Sequence, residues 1–180
     1  MPAADALAQL LAKLFDSTFA AGYLVHMRGA AREPLYLPAT AEQPAQLVYA
    51  HDYPSSVLHE AAHWCLAGKR RRLKVDFGFT YVPSAARTVQ DQLAFEAAEV
   101  RTQAIEWRLS LAAGVAFHLS VDRIERDRGQ LLGAVSAEVQ CRLRDGWPIR
   151  VQRFALVLAD ALGGVAQPTW CDFAKGLADV

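Results

Sequence analysis

Cysteine is scarce, neither sign of charge is in excess, and no long apolar run occurs. The three cysteines, Cys65, Cys141 and Cys171, are far apart, odd in number and without CxxC spacing. That pattern argues against a disulfide framework or a thiolate zinc site and points to reduced thiols. Lysine and arginine number 19, as do aspartate and glutamate, giving a formal net charge of zero. No global field would draw such a chain onto nucleic acid or an anionic membrane, so neither is expected as a direct partner. No window approaches the roughly 18 uninterrupted apolar residues of a membrane span. The opening MPAADALAQLLAKLFDSTFAAG lacks basic residues ahead of its apolar stretch, and Asp5, Lys13 and Asp16 interrupt it at helical spacing. It reads as an amphipathic helix rather than a leader. Repeats, low-complexity tracts and linkers are also missing. The expectation is one domain over residues 1–180, monomeric and cytoplasmic.

What is present suits a globular fold. Hydrophobic residues make up 53% and charged residues 21% of 180 positions, enough to bury a core without staples. Helical periodicity predicts a first helix over 4–20 with Gly22 as its stop. Three prolines between 33 and 46 predict a connecting loop with short extended pieces, and 46–50 a short strand. Pro54 can open a helix running to about Ala67, with Gly68 as the stop. Alternation in LKVDFGFTYVP predicts a strand over 73–83, with Val75, Phe77, Phe79 and Tyr81 on one face. Further helices are expected over 91–113, ended by Gly114, and over 121–144 and 149–163. The order describes an α+β domain, mostly helical with a small sheet, built around a zincin-like HExxH helix.

That motif lies in SSVLHEAAHWCLAGKRRR, residues 55–72. Residues four apart stack on a helix, so His59 and His63 share a face. Val57, Leu58, Ala61, Ala62, Trp64, Cys65 and Leu66 fill more than half of the wheel, leaving His59, Glu60 and His63 as its polar stripe. Such a helix is well buried, and imidazoles beside protein need partners. Two that converge can bind Zn, Fe, Cu or Ni, with Glu60 placed to touch a metal-bound water. The competing reading is a chance motif on a solvated or core-satisfied face.

A catalytic ion needs a third protein ligand. On the 91–113 helix, Gln92, Glu96, Glu99, Gln103, Glu106 and Ser110 form a narrow polar stripe between two apolar flanks, with Arg101 and Arg108 nearly opposite. A helix packed on both shoulders would turn these acids toward an internal cavity, and Glu99 and Glu96 are the leading candidates. His26, His51 and His118 read as ordinary surface or core histidines, and of the three only His51 is close enough in sequence to the motif to merit suspicion. The basic run Lys69 to Lys74 suits a helix C-terminus, and Arg70, Arg71 and Arg72 could dock an acidic protein.

Taken together, HDYPSSVLHEAAHWCLAGKRRRLKVDFGFTYVP at 51–83, EPLYLPA at 33–39 and FEAAEVRTQAIEW at 95–107 resemble the bacterial elongation factor P hydroxylase family. The resemblance runs from about residue 4 to about 125 and is looser in the last third. It implies a non-haem metal hydroxylase that adds a hydroxyl group to a β-lysylated lysine of elongation factor P. It further implies His59, His63 and Glu99 as metal ligands, with Glu60 in a proton-transfer or supporting role. The ion expected is Fe(II), with another divalent metal possible in purified protein, and molecular oxygen is the co-substrate. Nothing in the sequence identifies the electron donor, and no 2-oxoglutarate site can be placed. PSAAR stands at 83–87 where the family often has an Asp-Gly-Arg turn. The rival readings are a zinc metallopeptidase using Glu60 to activate water and a binding module with a structural metal or none.

Overall fold

A computed structural model describes residues 4–78, 88–121 and 127–175. Apolar positions of the first segment recur every three or four residues, and α1 (Ala4–Tyr23) buries Ala8, Leu11, Phe15 and Phe19 on that face. The helix passes through the expected stop at Gly22, and Leu24 makes the turn with φ 50°. A side chain is disfavoured there. The conformation is held because the Leu24 N–H donates to the Ala20 carbonyl at 2.9 Å while its own carbonyl accepts from Ala45 at 2.7 Å.

Three strands follow, β1 (Val25–Ala31), β2 (Leu35–Leu37) and β3 (Ala45–Ala50). They form one sheet in the order β1-β3-β2, with β1 and β3 parallel and β2 antiparallel to β3. β3 is the expected strand, and β2 is one of the extended pieces of the proline-rich loop. β1 was not foreseen, because only Val25 and Met27 are buried before Arg28, Gly29 and Ala30 turn outward. Asp16 joins α1 to this strand, accepting from the Met27 N–H at 2.7 Å and pairing with the His26 ring at 3.0 Å.

Pro54 opens α2 (Pro54–Leu66), where its missing N–H costs no helical hydrogen bond. The apolar arc packs against α1, β3 and the next long helix, burying Val57, Leu58, Ala61, Ala62, Trp64 and Cys65. The helix stops just before Gly68, as expected, although Gly68 itself is not in the left-handed conformation. Ala67 ends the helix with extended backbone, and two guanidinium groups take its last carbonyls. Arg72 donates to the Ala67 oxygen at 2.6 Å, and Arg150 donates to those of Cys65 and Ala67 at 2.9 and 2.8 Å. Both cations also lie over the Trp64 ring, at 5.4 and 5.3 Å from its centroid.

The strand expected over 73–83 does not form in its described part. Residues Arg71–Leu73 and Val75–Gly78 make short 3-10 turns, with Asp76 and Phe77 at φ 46° and 56°. Partners outside the segment override the local alternation. The Tyr36 N–H donates to Asp76 at 2.8 Å, the Tyr36 and Phe77 rings stack at 4.2 Å, and the Tyr36 hydroxyl donates to the Arg72 carbonyl at 2.9 Å. Residues 79–83 of that expectation, and the PSAAR segment, lie outside the described residues.

Helix α3 (Val89–Ala113) starts at a capping box between Thr88 and Asp91 and ends at Gly114, φ 66°, as expected. Helix α4 (Arg128–Asp145) begins later than residue 121, where the Asp127 side chain accepts from the Gln130 N–H at 2.9 Å. Helix α5 (Ile149–Leu162) ends at Gly163, φ 76°, and a short α6 (Trp170–Lys175) follows. The chain thus has the expected mostly helical α+β class with a small sheet.

α3 lies between two hydrophobic clusters. One joins Ile105, Leu109 and Ala112 to α1, the sheet, α2 and α5. The other joins Ala104 and Trp107 to α4 and α6. Every residue from Thr102 to Ser110 is therefore buried, including Arg108, which donates to the carbonyls of Val165 and Ala166 at 3.2 and 2.5 Å. The polar stripe is consequently held inside the protein on a helix fixed from both sides.

Candidate metal centre

α2 and α3 pack together so that the polar stripe of one faces that of the other. Side-chain donors of His59, His63 and Glu99 come within 4.8 Å of one another. The Nε2 atoms of the two imidazoles are 3.1 Å apart. Glu99 lies 3.4 Å from His63 Nε2 through Oε1 and 3.7 Å from His59 Nε2 through Oε2. The three side chains keep between 13% and 23% of their surface exposed, so the cluster is walled by protein yet reachable.

These separations suit a single small ion. Donors about 2.1 Å from an ion sit about 3.0 Å apart at a right angle and about 3.4 Å apart at a tetrahedral one. Two imidazoles and one carboxylate are also the donor set that leaves coordination positions open on iron. A possible metal site of two histidines and one glutamate is therefore present, and its residues fit a divalent cation.

The outer nitrogens of both rings are engaged as well. Glu106 Oε2 is 2.8 Å from His59 Nδ1, and Thr102 Oγ1 is 3.3 Å from His63 Nδ1. Burial, the largest single influence, would lower the His59 pKa, and the charge and hydrogen bond of Glu106 oppose it. With Glu99 and Glu60 adding to the effect, the metal-free ring is raised to about 10. Glu60 is half-buried one residue along α2. Its carboxyl is raised by burial, lowered by His63 and His59, and raised again by Glu99 and Glu106. Cys65, on the apolar side of the same helix, is a buried thiol pushed up to about 12 by desolvation.

Of the two acids considered for the third ligand, Glu99 joins the cluster. Glu96 is buried one turn earlier and accepts from Gln92 Nε2 at 2.9 Å. His51 and His118 are exposed and lie outside the cluster, and His26 pairs with Asp16. The basic run divides. Arg70 and Arg71 are exposed, whereas Arg72 is committed to the end of α2 and to the Tyr23 and Trp64 rings. Sequence reasoning placed Glu106 on the polar stripe without singling it out, and passed over Thr102. The available signal was their position three and seven residues beyond Glu99, on one helical face.

A mostly helical α+β domain whose two packed helices bring two imidazoles and a carboxylate together defines a candidate divalent-metal protein. The family model described as elongation factor P hydroxylase matches residues 14–168. The chain is also 39% identical over 150 residues to the elongation factor P lysine hydroxylase of Haemophilus influenzae, covering 80% of this chain and 84% of that protein. The chain belongs to the elongation factor P hydroxylase family.

Proposed function

We propose that this chain hydroxylates a lysine side chain of elongation factor P, in its β-lysylated form, at an ion held by His59, His63 and Glu99. The observation that carries this reading is the convergence of those three donors in a member of this family. When bound, Fe(II) would supply the activation of molecular oxygen, and the open side of a two-histidine, one-carboxylate set gives it room. One oxygen atom enters a C–H bond and the other leaves as water, so two electrons and two protons must come from an external reductant.

The chain's own groups then have separable tasks. His59, His63 and Glu99 hold the ion. Glu60, whose carboxyl is raised by burial beside the ligands, holds and releases a proton at the mouth of the site. Arg70 and Arg71, exposed beyond the end of α2, meet an acidic surface of the protein substrate. Among the described residues no helix is long and apolar enough to cross a membrane. We place the reaction in the cytoplasm, carried out by a monomer.

The test is to incubate Fe(II)-loaded protein, a reductant and β-lysylated elongation factor P in air, then read the intact mass of the substrate. The expected result is the gain of a single oxygen atom. An unchanged mass with every reductant tried would sink the hydroxylase reading, and a cut chain would favour the zinc peptidase instead. Neither the family nor the relative supports that alternative.

A further inference from the structure

We propose that Glu106 is a positioning residue for the metal centre, holding the His59 ring by its Nδ1–H so that Nε2 is presented to the ion. The inference deepens the reading of His59, His63 and Glu99 as ligands and rests on it.

A neutral imidazole has one N–H and one lone pair, and the partner of one nitrogen decides the role of the other. An ionised carboxylate only accepts hydrogen bonds, so Glu106 Oε2 at 2.8 Å requires a proton on His59 Nδ1. That leaves Nε2 facing His63 Nε2 at 3.1 Å and Glu99 at 3.7 Å. Two Nε2 atoms so close cannot turn lone pairs toward each other unless a proton or a cation lies between them. The second ring is arranged alike. The Thr102 hydroxyl donates to the Ala98 carbonyl at 3.1 Å, so its oxygen accepts from His63 Nδ1 at 3.3 Å.

Placement strengthens the case. Glu99, Thr102 and Glu106 occupy positions i, i+3 and i+7 of α3, so one helix carries a ligand and the supports of the other two ligands. That helix is clamped between both hydrophobic clusters, which limits how far any of the three can drift. Glu106 is only 3% exposed, and a buried carboxylate is costly without a cationic partner. The protonated His59 ring can be that partner in the metal-free centre, and a dication bound through His59 would take over the role. A carboxylate on the far nitrogen also makes the ring a more basic ligand.

The experiment titrates metal-free wild type, Glu106→Gln and Glu106→Leu with Co(II) alone, in competition with a chromogenic chelator, with near-UV circular dichroism confirming the native fold. Affinity, extrapolated from its pH dependence to the deprotonated site so that proton competition drops out, should fall about 10-fold in the glutamine variant and up to about 100-fold in the leucine variant. In the Co(II)-loaded protein, the shifted His59 N–H proton resonance should exchange slowly with solvent in wild type and rapidly in Glu106→Leu. Folded variants with wild-type affinity and an unchanged N–H resonance would overturn the positioning role. If the leucine variant does not fold, the near-isosteric glutamine variant decides the matter on its own. A wild type that binds no Co(II) would instead bring down the metal reading and this proposal with it, and that failure shows before any variant is compared.

Discussion

His59 and His63 bring their Nε2 atoms to 3.1 Å of each other across one turn of α2, and Glu99 reaches both from α3. Removing any one of the three leaves two donors, too few to close a tight site. Glu99→Ala and His63→Ala should therefore lose their bound ion, measured by elemental analysis after dialysis, while the apolar faces of α2 and α3 keep the fold. A Glu99→Ala protein that retains its full complement of metal would remove Glu99 from the ligand set.

The metal-free centre should be sensitive to pH in a defined direction. His59 is raised from 6.5 to about 10 because the carboxylates around it, Glu106 foremost and then Glu99 and Glu60, together outweigh burial. A raised folded pKa means that the group's contribution to stability is fully present below about 6.5 and is lost as the pH climbs through about 10. Thermal melts of the metal-free protein should fall across that window. Co(II) affinity should rise over the same range, since the ion competes with the proton for Nε2. An affinity independent of pH between these limits would contradict the assignment.

Glu60 separates the chemistry from the holding of the ion. Glu60→Gln keeps the side-chain shape and removes the titratable proton. It should retain metal while turnover of elongation factor P, followed by intact mass, drops by about 10² to 10⁴. Wild-type turnover would exclude Glu60 from proton transfer, and loss of metal would place it among the ligands.

The basic run should divide by role. Replacing Arg70 and Arg71 together by glutamate should raise KM for the protein substrate about tenfold with metal content unchanged. Arg72→Glu should act on stability instead, because Arg72 donates to the end of α2 at Ala67. The loss of that charge-assisted bond costs about 2 kcal/mol, visible as a lower Tm. An Arg72→Glu protein with unaltered Tm and a raised KM would return that residue to the docking surface.

The helices around the site were legible because their signals are local. The apolar arc of α2 set which side of it would be buried and left His59, Glu60 and His63 as a stripe. The stripe of α3 between apolar flanks foretold a helix enclosed on two sides, which the hydrophobic clusters now show. Gly114 ends its helix as expected. Where local signals failed or fell short, a distant partner had taken over. α2 ends at the expected place before Gly68, but the groups that take its last carbonyls include Arg150, more than 80 residues away. Tyr36 bends 75–78 into a turn where alternation predicted a strand.

The same division runs through the site. By itself the sequence determined the donor types and their spacing on each helix, since periodicity alone puts His59 over His63 and Glu99 on one stripe with Glu106. Choosing Glu99 over Glu96 from the residues alone was not possible, and that choice came from family resemblance. Only tertiary structure decided that Glu99 meets both imidazoles while Glu96 binds Gln92, and that Glu106 and Thr102 take the outer nitrogens. The reason is physical. Spacing along a helix sets angles around its own axis, but the sliding and rotation of α3 against α2 are set by two hydrophobic clusters assembled from distant parts of the chain.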